Sequence, residues 1–194
     1  NNFLGKGIKL NTNLAVTANS VTGQFIYNKP NFNYSENSLL LSLNSTATDN
    51  LSDSGYKSNN TGISAGTSFE QYENIFFTPA LRSSFETIET STRASNKLKK
   101  QAGDYFDIYL NYTVDYDRRN RSYKADEGFK NSFNQDLPLY SDNFEFVNTF
   151  ETTKYHKFTN FVTKLSYYGK AANSINGEDV RISKRLYVPS SKLR

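Results

Sequence analysis

The chain has 194 residues, a formal net charge of +4 and no cysteine. This excludes a disulfide framework and a thiolate metal site, and so modest a charge, spread along the chain, gives no reason to expect nucleic acid. Hydrophobic residues make up only 36% while aromatics reach 15%, with 14 Tyr and 15 Phe; a soluble sandwich wants a thicker Val/Ile/Leu core, whereas a sheet with one thin apolar face and one polar face fits.

Residues 1–7 read as a turn, with Gly5 and Gly7 free to take positive φ and Phe3 and Leu4 as anchors. Ile8, Leu10, Thr12, Leu14, Val16 and Ala18 then share one face, with Lys9, Asn11, Asn13 and Thr17 opposite. That period-2 alternation predicts a strand. Asn19 and Ser20 turn into a second strand over 21–29, and 30–36 is a loop. Tyr27, Phe32 and Tyr34 near it suit a membrane interface, where one end of the ring is apolar and the other wet. Leu39, Leu41, Leu43, Ser45 and Ala47 mark the next strand, and 49–55 a small acidic loop. Alternation returns over 61–69, and 70–74 is a short turn. Ile75, Phe77, Leu81 and Phe85 share a face with Pro79, against Arg82, Ser84 and Glu86. Pro79 cannot donate to a ladder, which predicts a bulge or locally broken pairing. Residues 89–103 are the most polar stretch and read as a long exposed loop with a helical turn.

The most regular stretch follows. Phe106, Ile108, Leu110, Tyr112, Val114 and Tyr116 alternate with Asp107, Tyr109, Asn111, Thr113, Asp115 and Asp117. A basic turn at 118–128 leads back into Phe129, Asn131 and Phe133, set against Lys130, Ser132, Asn134 and Asp136. This predicts a long hairpin, with Phe106, Ile108, Leu110, Tyr112, Val114, Phe129 and Phe133 facing lipid and the polar face lining a water-filled lumen. A turn at 138–143, a strand led by Phe144, Phe146 and Phe150, a turn at 155–157 and a weaker strand over 158–171 complete the pattern. Residues 172–194 read as a long loop.

This gives about nine strands, most near the roughly ten residues that a tilted strand needs to cross a bilayer. No run reaches the roughly 18 apolar residues of a transmembrane helix. Short turns alternate with longer loops, the asymmetry expected between the two sides of an outer-membrane barrel. An odd strand count leaves two open edges, and in hydrocarbon each unpaired amide costs several kcal/mol. The expected fold is therefore all-β: an antiparallel up-and-down meander, an incomplete part of a transmembrane β-barrel. The sequence opens with no signal peptide, which leaves either a cytosolic protein or one whose start is missing.

Residues with chemistry are sparse. His156, the one histidine, reads as an exposed turn residue, since metal ligation needs several ligands. Asp49 and Asp53 could hold calcium weakly but lack the EF-hand pattern. Asp107, Asp115 and Asp117 line the polar face and could tune lumen electrostatics; no acid/base geometry is implied. No G-x-S-x-G elbow occurs. The expectation is a protein that is not an enzyme, with no catalytic residue, cofactor or metal. Arg118, Arg119 and Arg121 read as a solvated turn, with contact to lipid headgroups or a periplasmic partner as the functional alternative. The sequons at Asn44 and Asn111 fall inside predicted strands and are discounted.

Several segments, in order, resemble the BamA family of bacterial outer-membrane assembly factors, within the bacterial surface antigen superfamily. Asn2–Phe3–Leu4–Gly5–Lys6–Gly7 resembles its N-F/W-L-G-x-G turn, and Lys29–Pro30–Asn31–Phe32 its N-P-x-F turn. Asp117–Arg118 with Tyr123–Lys124–Ala125–Asp126–Glu127–Gly128 resembles its D-x-R and F-x-P-T-x-G turn, with Ala125 and Asp126 replacing Pro and Thr, which implies a looser turn. The segment 133–137 has the same character, and 186–194 resembles the run into the V/L-R-G-F loop motif, carried by Leu193 and Arg194, without the usual double glycine.

The resemblance implies that residues 1–194 correspond to the third through eleventh strands of a sixteen-stranded barrel, plus the start of its long lumen loop at 172–194. It implies that Arg194 folds back into the lumen and pairs with carboxylates and aromatics on the opposite wall. The implied role is assembly of β-barrel proteins into the bacterial outer membrane. The implied partners are outer-membrane lipids, unfolded outer-membrane clients and accessory assembly lipoproteins. TamA-like proteins and two-partner secretion pores share the loop motif and remain alternatives, as does a soluble β-sandwich adhesin or carbohydrate-binding module.

Overall fold

The computed structural model describes residues 3, 5–175, 177 and 179–186. Nine strands run β1 (Lys9–Val16), β2 (Ser20–Lys29), β3 (Ser38–Asn50), β4 (Tyr56–Tyr72), β5 (Ile75–Thr90), β6 (Gly103–Asp117), β7 (Gly128–Tyr140), β8 (Glu145–Lys157) and β9 (Val162–Ser174). They form one antiparallel sheet in sequence order, open between β1 and β9. A single helical turn, α1 (Asn96–Lys99), interrupts the β5–β6 connection; the Ser95 hydroxyl caps it by accepting from the Leu98 N–H.

Cross-strand register carries the alternation from strand to strand. Phe25 faces Leu43, which faces Ile63. Leu81 faces Ala65 on one side and Leu110 on the other, and Val114, Phe133 and Phe150 form a row. These side chains point away from the concave face and remain open: Leu43 is 53% exposed, Leu81 52% and Phe106 45%. The described residues place no second layer over this face, so the packed core that a β-sandwich requires is not there. The buried interior is inverted in character. Its hydrophobic members are Tyr56, Ile88, Tyr109 and Ile182, while the largest fully buried side chains include Arg181, Glu86, Glu145 and Asp107. A sheet that exposes its apolar side chains and buries its charges has the polarity expected of a barrel wall with hydrocarbon outside.

Several expectations are corrected. β4 and β5 have 17 and 16 residues, longer than the apolar alternation showed, because polar Asn, Ser and Thr continue the backbone ladder where the apolar rows stop. The β8–β9 turn is 158–161 rather than 155–157. It closes with a Phe158 N–H bond to the Phe161 carbonyl at 2.8 Å, and the two rings stack at 4.7 Å. His156 ends β8 and meets the Phe158 ring edge-on at 4.6 Å. The long-loop, short-turn asymmetry is absent. One end carries connections 17–19, 51–55, 91–102 and 141–144, the other 30–37, 73–74, 118–127 and 158–161, so each mixes short with long.

Pro79 breaks pairing without shifting it. On the β4 side the ladder pairs Gly66 with Ala80 and Phe69 with Phe77 in one register, skipping the positions between, and the bulge falls at Glu70–Tyr72. A Cβ at Gly66 would lie 2.6 Å from both the Pro79 carbonyl oxygen and the Ala80 Cβ, so the two backbones approach closely there.

The 118–127 turn is tightly held, against the looser turn implied by Ala125 and Asp126. Asp126 accepts from the Asn120 side chain and from Arg121 Nη2 at 2.6 Å, with Lys157 at 3.6 Å. Gly128 closes the turn at φ +94°, and a Cβ there would sit 2.1 Å from the Arg118 carbonyl oxygen. Gly128→Ala is therefore expected to cost about 1–3 kcal/mol or more in backbone strain. The measurement is the urea midpoint of the folded protein in lipid vesicles, which should fall.

Candidate functional site

The concave face is a polar wall. Arg82 of β5 lies 2.8 Å from Asp136 of β7, and Asn111 of β6 donates to the same carboxylate at 2.6 Å. Lys130 pairs with Asp115 at 3.3 Å. Into this wall, at the end where β5 and β6 are joined, folds the segment after β9, and its anchor is Arg181.

The Arg181 side chain is fully buried. Its Nη2 donates to Asp107 Oδ2 at 2.6 Å and to Tyr109 Oη at 3.2 Å, and its Nε to Glu145 Oε2 at 3.4 Å. Its backbone N–H donates to the other Glu145 oxygen at 2.6 Å, and Nη1 stands 3.6 Å from Glu86. The guanidinium lies over the Tyr105 ring at 4.8 Å. One residue of the loop thus binds three strands: Glu86 on β5, Asp107 and Tyr109 on β6, and Glu145 on β8. A planar fork of five donors suits such divergent acceptors, as a point-charge ammonium would not. Period-2 geometry sends all the acceptors inward, since Tyr105, Asp107 and Tyr109 share a face.

Neighbours complete the clamp. The Ile182 N–H donates to Gln101 Oε1 at 3.0 Å, and its side chain packs with Tyr56, Ile88, Leu98 and Tyr105. Ser183 donates to Glu86 at 2.9 Å, and Lys184 Nζ to Tyr109 Oη at 3.0 Å. The Ser141 hydroxyl lies 2.6 Å from Asp107 Oδ1, so the β7–β8 turn supports the same carboxylate. Burial works against the Arg181 charge, but Asp107 outweighs it and holds the guanidinium above its ordinary value. Burial, and then the adjacent Arg181, pull the Lys184 ammonium below its ordinary value. Beneath the docked loop lies a cavity of about 660 Å³ lined by Asn, Ser and Thr of β3 and β4 and by Arg82, Glu86 and Lys184.

The sequence-derived candidates divide. Phe106, Ile108, Leu110, Tyr112, Val114, Phe129 and Phe133 all lie on the outward face. Asp107 lies on the inner wall as expected, but as a clamp ligand. Asp117 pairs with Arg119, bidentate at 2.6 and 2.8 Å, not with Arg118. Arg118 is exposed and uses its backbone N–H on the Phe129 carbonyl. The basic turn is thus partly neutralised, Arg119 by Asp117 and Arg121 by Asp126. Tyr123 is 76% exposed with Lys124 over its ring. Phe3 bridges to Ile8, and Gly5 and Gly7 take positive φ. Asp49 caps the Leu51 N–H in its own loop, while Asp53 accepts from Ser52 and from Asn19 of the neighbouring 17–19 connection and so ties the two loops together. Asn2, Leu4, Leu193 and Arg194 lie outside the described residues. Arg181, Glu86 and Glu145 were not among the sequence-derived candidates.

Asp126 gives its turn a pH dependence. The Asn120 hydrogen bond, followed by the Arg121 charge, holds its carboxyl below the ordinary range. A depressed folded-state value means stabilisation that is full above the unfolded value of about 3.9 and lost as pH falls through the folded one. Urea midpoints from pH 6 to pH 3 should drop in the native protein, and less steeply in Asp126→Asn.

Comparison with known proteins matches residues 2–194 to the model of the Omp85 superfamily domain. Among solved structures, the crystal structure of BamA from Haemophilus ducreyi lacking POTRA domains 1-3 superposes with a TM-score of 0.78 at 21% identity. The match covers 94% of this chain and 38% of that one. Comparison with curated protein sequences gives no significant match. The antiparallel wall with its inward polar face is part of a BamA-like β-barrel fold, and the chain belongs to the Omp85 superfamily.

Proposed function

We propose that the chain is the barrel wall of an outer-membrane insertase, the component that assembles β-barrel proteins into the bacterial outer membrane. The observation that carries this reading is the clamped loop. An Omp85-superfamily wall with an apolar exterior holds the segment after β9 inside its own concave face through Arg181. In this reading the nine strands correspond to the third through eleventh of sixteen, and further strands close the edges of β1 and β9. Open edges in hydrocarbon would leave a row of unpaired amides. Clients would add at a weakly paired seam between the barrel's first and last strands by β-augmentation, and the wall described here would hold that seam in shape. The role calls for no bond chemistry and no cofactor; its partners are outer-membrane lipids, unfolded clients and accessory lipoproteins.

Depletion of the full-length protein from its host tests this. Many unrelated outer-membrane barrels should disappear together from the outer-membrane fraction. Loss of a single exported substrate with the other barrels unchanged would instead indicate a secretion pore.

A further inference from the structure

The outward face is apolar at mid-height over β2 to β4, where Phe25, Leu43 and Ile63 face one another, and on β5 a single small hydroxyl, Ser83, ends that row between Leu81 and Phe85. On β7 and β8 the face carries amides. Gln135 stands between Phe133 and Leu137 on its strand, and Asn148 between Phe146 and Phe150. Register aligns Tyr112, Gln135 and Asn148 in one row across β6, β7 and β8. The Tyr112 hydroxyl donates to Gln135 Oε1 at 2.7 Å, and Gln135 Nε2 donates to Asn148 Oδ1. Two rows away Asn131 faces Thr152, whose hydroxyl donates to Asn131 Oδ1 at 2.6 Å. Between the polar rows Phe133 faces Phe150, itself 40% exposed. Asn131 and Asn148 each spend their oxygen and retain an NH₂ group with no bond among the described residues.

Acyl chains offer these N–H groups nothing, and an unsatisfied donor in hydrocarbon is costly. Lipid acceptors lie at the bilayer edge. The Tyr112–Gln135–Asn148 row is bracketed instead by Leu110, Leu137 and Phe146 on one side and by Val114, Phe133 and Phe150 on the other. A polypeptide can present acceptors at that depth. An aromatic pair flanked by hydrogen-bonding amides is also the arrangement of a protein contact, with a packed anchor and polar groups around it.

We propose that the outward face of β7 and β8, centred on Phe133 and Phe150, docks a second membrane-spanning protein whose wall presents a carbonyl, carboxamide or hydroxyl acceptor to Asn148. Asn131, one row from Lys154 and the 118–127 turn, lies within reach of lipid acceptors and is not part of the contact. The proposal rests on the reading of this face as embedded in the outer membrane.

The test uses the full-length protein in native membranes, with a photoactivatable side chain at position 150 and, as control, at position 43. A discrete protein adduct is expected from 150 and not from 43. Asn148→Leu should lower its yield by about tenfold, roughly the loss of one hydrogen bond. The same variant, purified into phospholipid vesicles without any partner, should be at least as stable as the native protein, because it removes the unpaired amide. Lipid-only products from both positions, or an adduct indifferent to Asn148→Leu, would overturn the proposal. A nitroxide at Leu43 that reports hydrocarbon shows that the membrane reading stands when the docking proposal fails.

Discussion

Arg181→Ala is expected to release the loop that follows β9 from the concave face. The substitution leaves Glu86, Asp107 and Glu145 buried with Lys184 as the remaining clamp cation. Removing one partner of a buried ionic cluster costs about 3–5 kcal/mol, because the surviving charges stay desolvated. Against release stands the burial of Ile182 beside Tyr56 and Ile88, which contributes about 1.5–3 kcal/mol. The electrostatic loss is the larger, so the loop undocks and water enters. Limited proteolysis of the full-length protein in vesicles should then cut within residues 179–186, where the native protein resists. Arg181→Lys keeps a charge but not the fork that reaches Asp107, Tyr109 and Glu145 together, and should fall between the two. Protease resistance equal to the native protein in Arg181→Ala would show that the clamp does not hold the loop.

Leu81→Arg is expected to destabilise the bilayer-inserted protein by about 2–4 kcal/mol, the cost of a cationic side chain on the lipid face near the midplane. Leu81 is 52% exposed and sits outward in a row with Ala65, Leu110 and Leu137. Thr46→Arg, which points into the polar cavity, should stay within about 0.5 kcal/mol. Urea unfolding in vesicles measures both. Equal costs at the two positions would mean that the faces do not differ in their surroundings.

What the residues revealed in advance follows from the reach of period-2 patterning. The β6–β7 hairpin was legible because twelve consecutive side chains alternate without a fault, and any one-residue slip would reverse both faces. Strand ends were not legible. Tyr56 to Asn60 pair fully with β3 and β5 but carry no apolar period to announce it. The Asp117 pairing with Arg119 was not legible from alternation, because β6 ends at Asp117 and Arg119 already lies in the turn, where period 2 no longer applies. The clamp left the weakest trace. Glu86, Asp107 and Glu145 could each be assigned inward from alternation, yet their convergence depends on three registers that a single sequence does not state. Arg181 sits in a stretch without any period, so attention fell on the terminal Arg194. The usable signal was an imbalance: three inward carboxylates at one end of the wall, and a cationic run of Arg181, Lys184 and Arg185 in the segment that must pass that end. The loop asymmetry misled because it was inferred from breaks in periodicity, which blur the true strand ends.

The most direct test of the account is solvent accessibility around the wall. The sequence contains no cysteine, so single nitroxide-labelled cysteines can be placed at will in the full-length protein reconstituted into bilayers, in a background without other thiols. Labels at Leu43, Phe85 and Phe106 should be relaxed by dissolved oxygen and shielded from a water-soluble nickel complex. Labels at Thr46, Asn60 and Thr113 should show the reverse. Nickel access to both sets alike, or oxygen preference at the inward positions, would contradict an outward apolar face bathed in hydrocarbon.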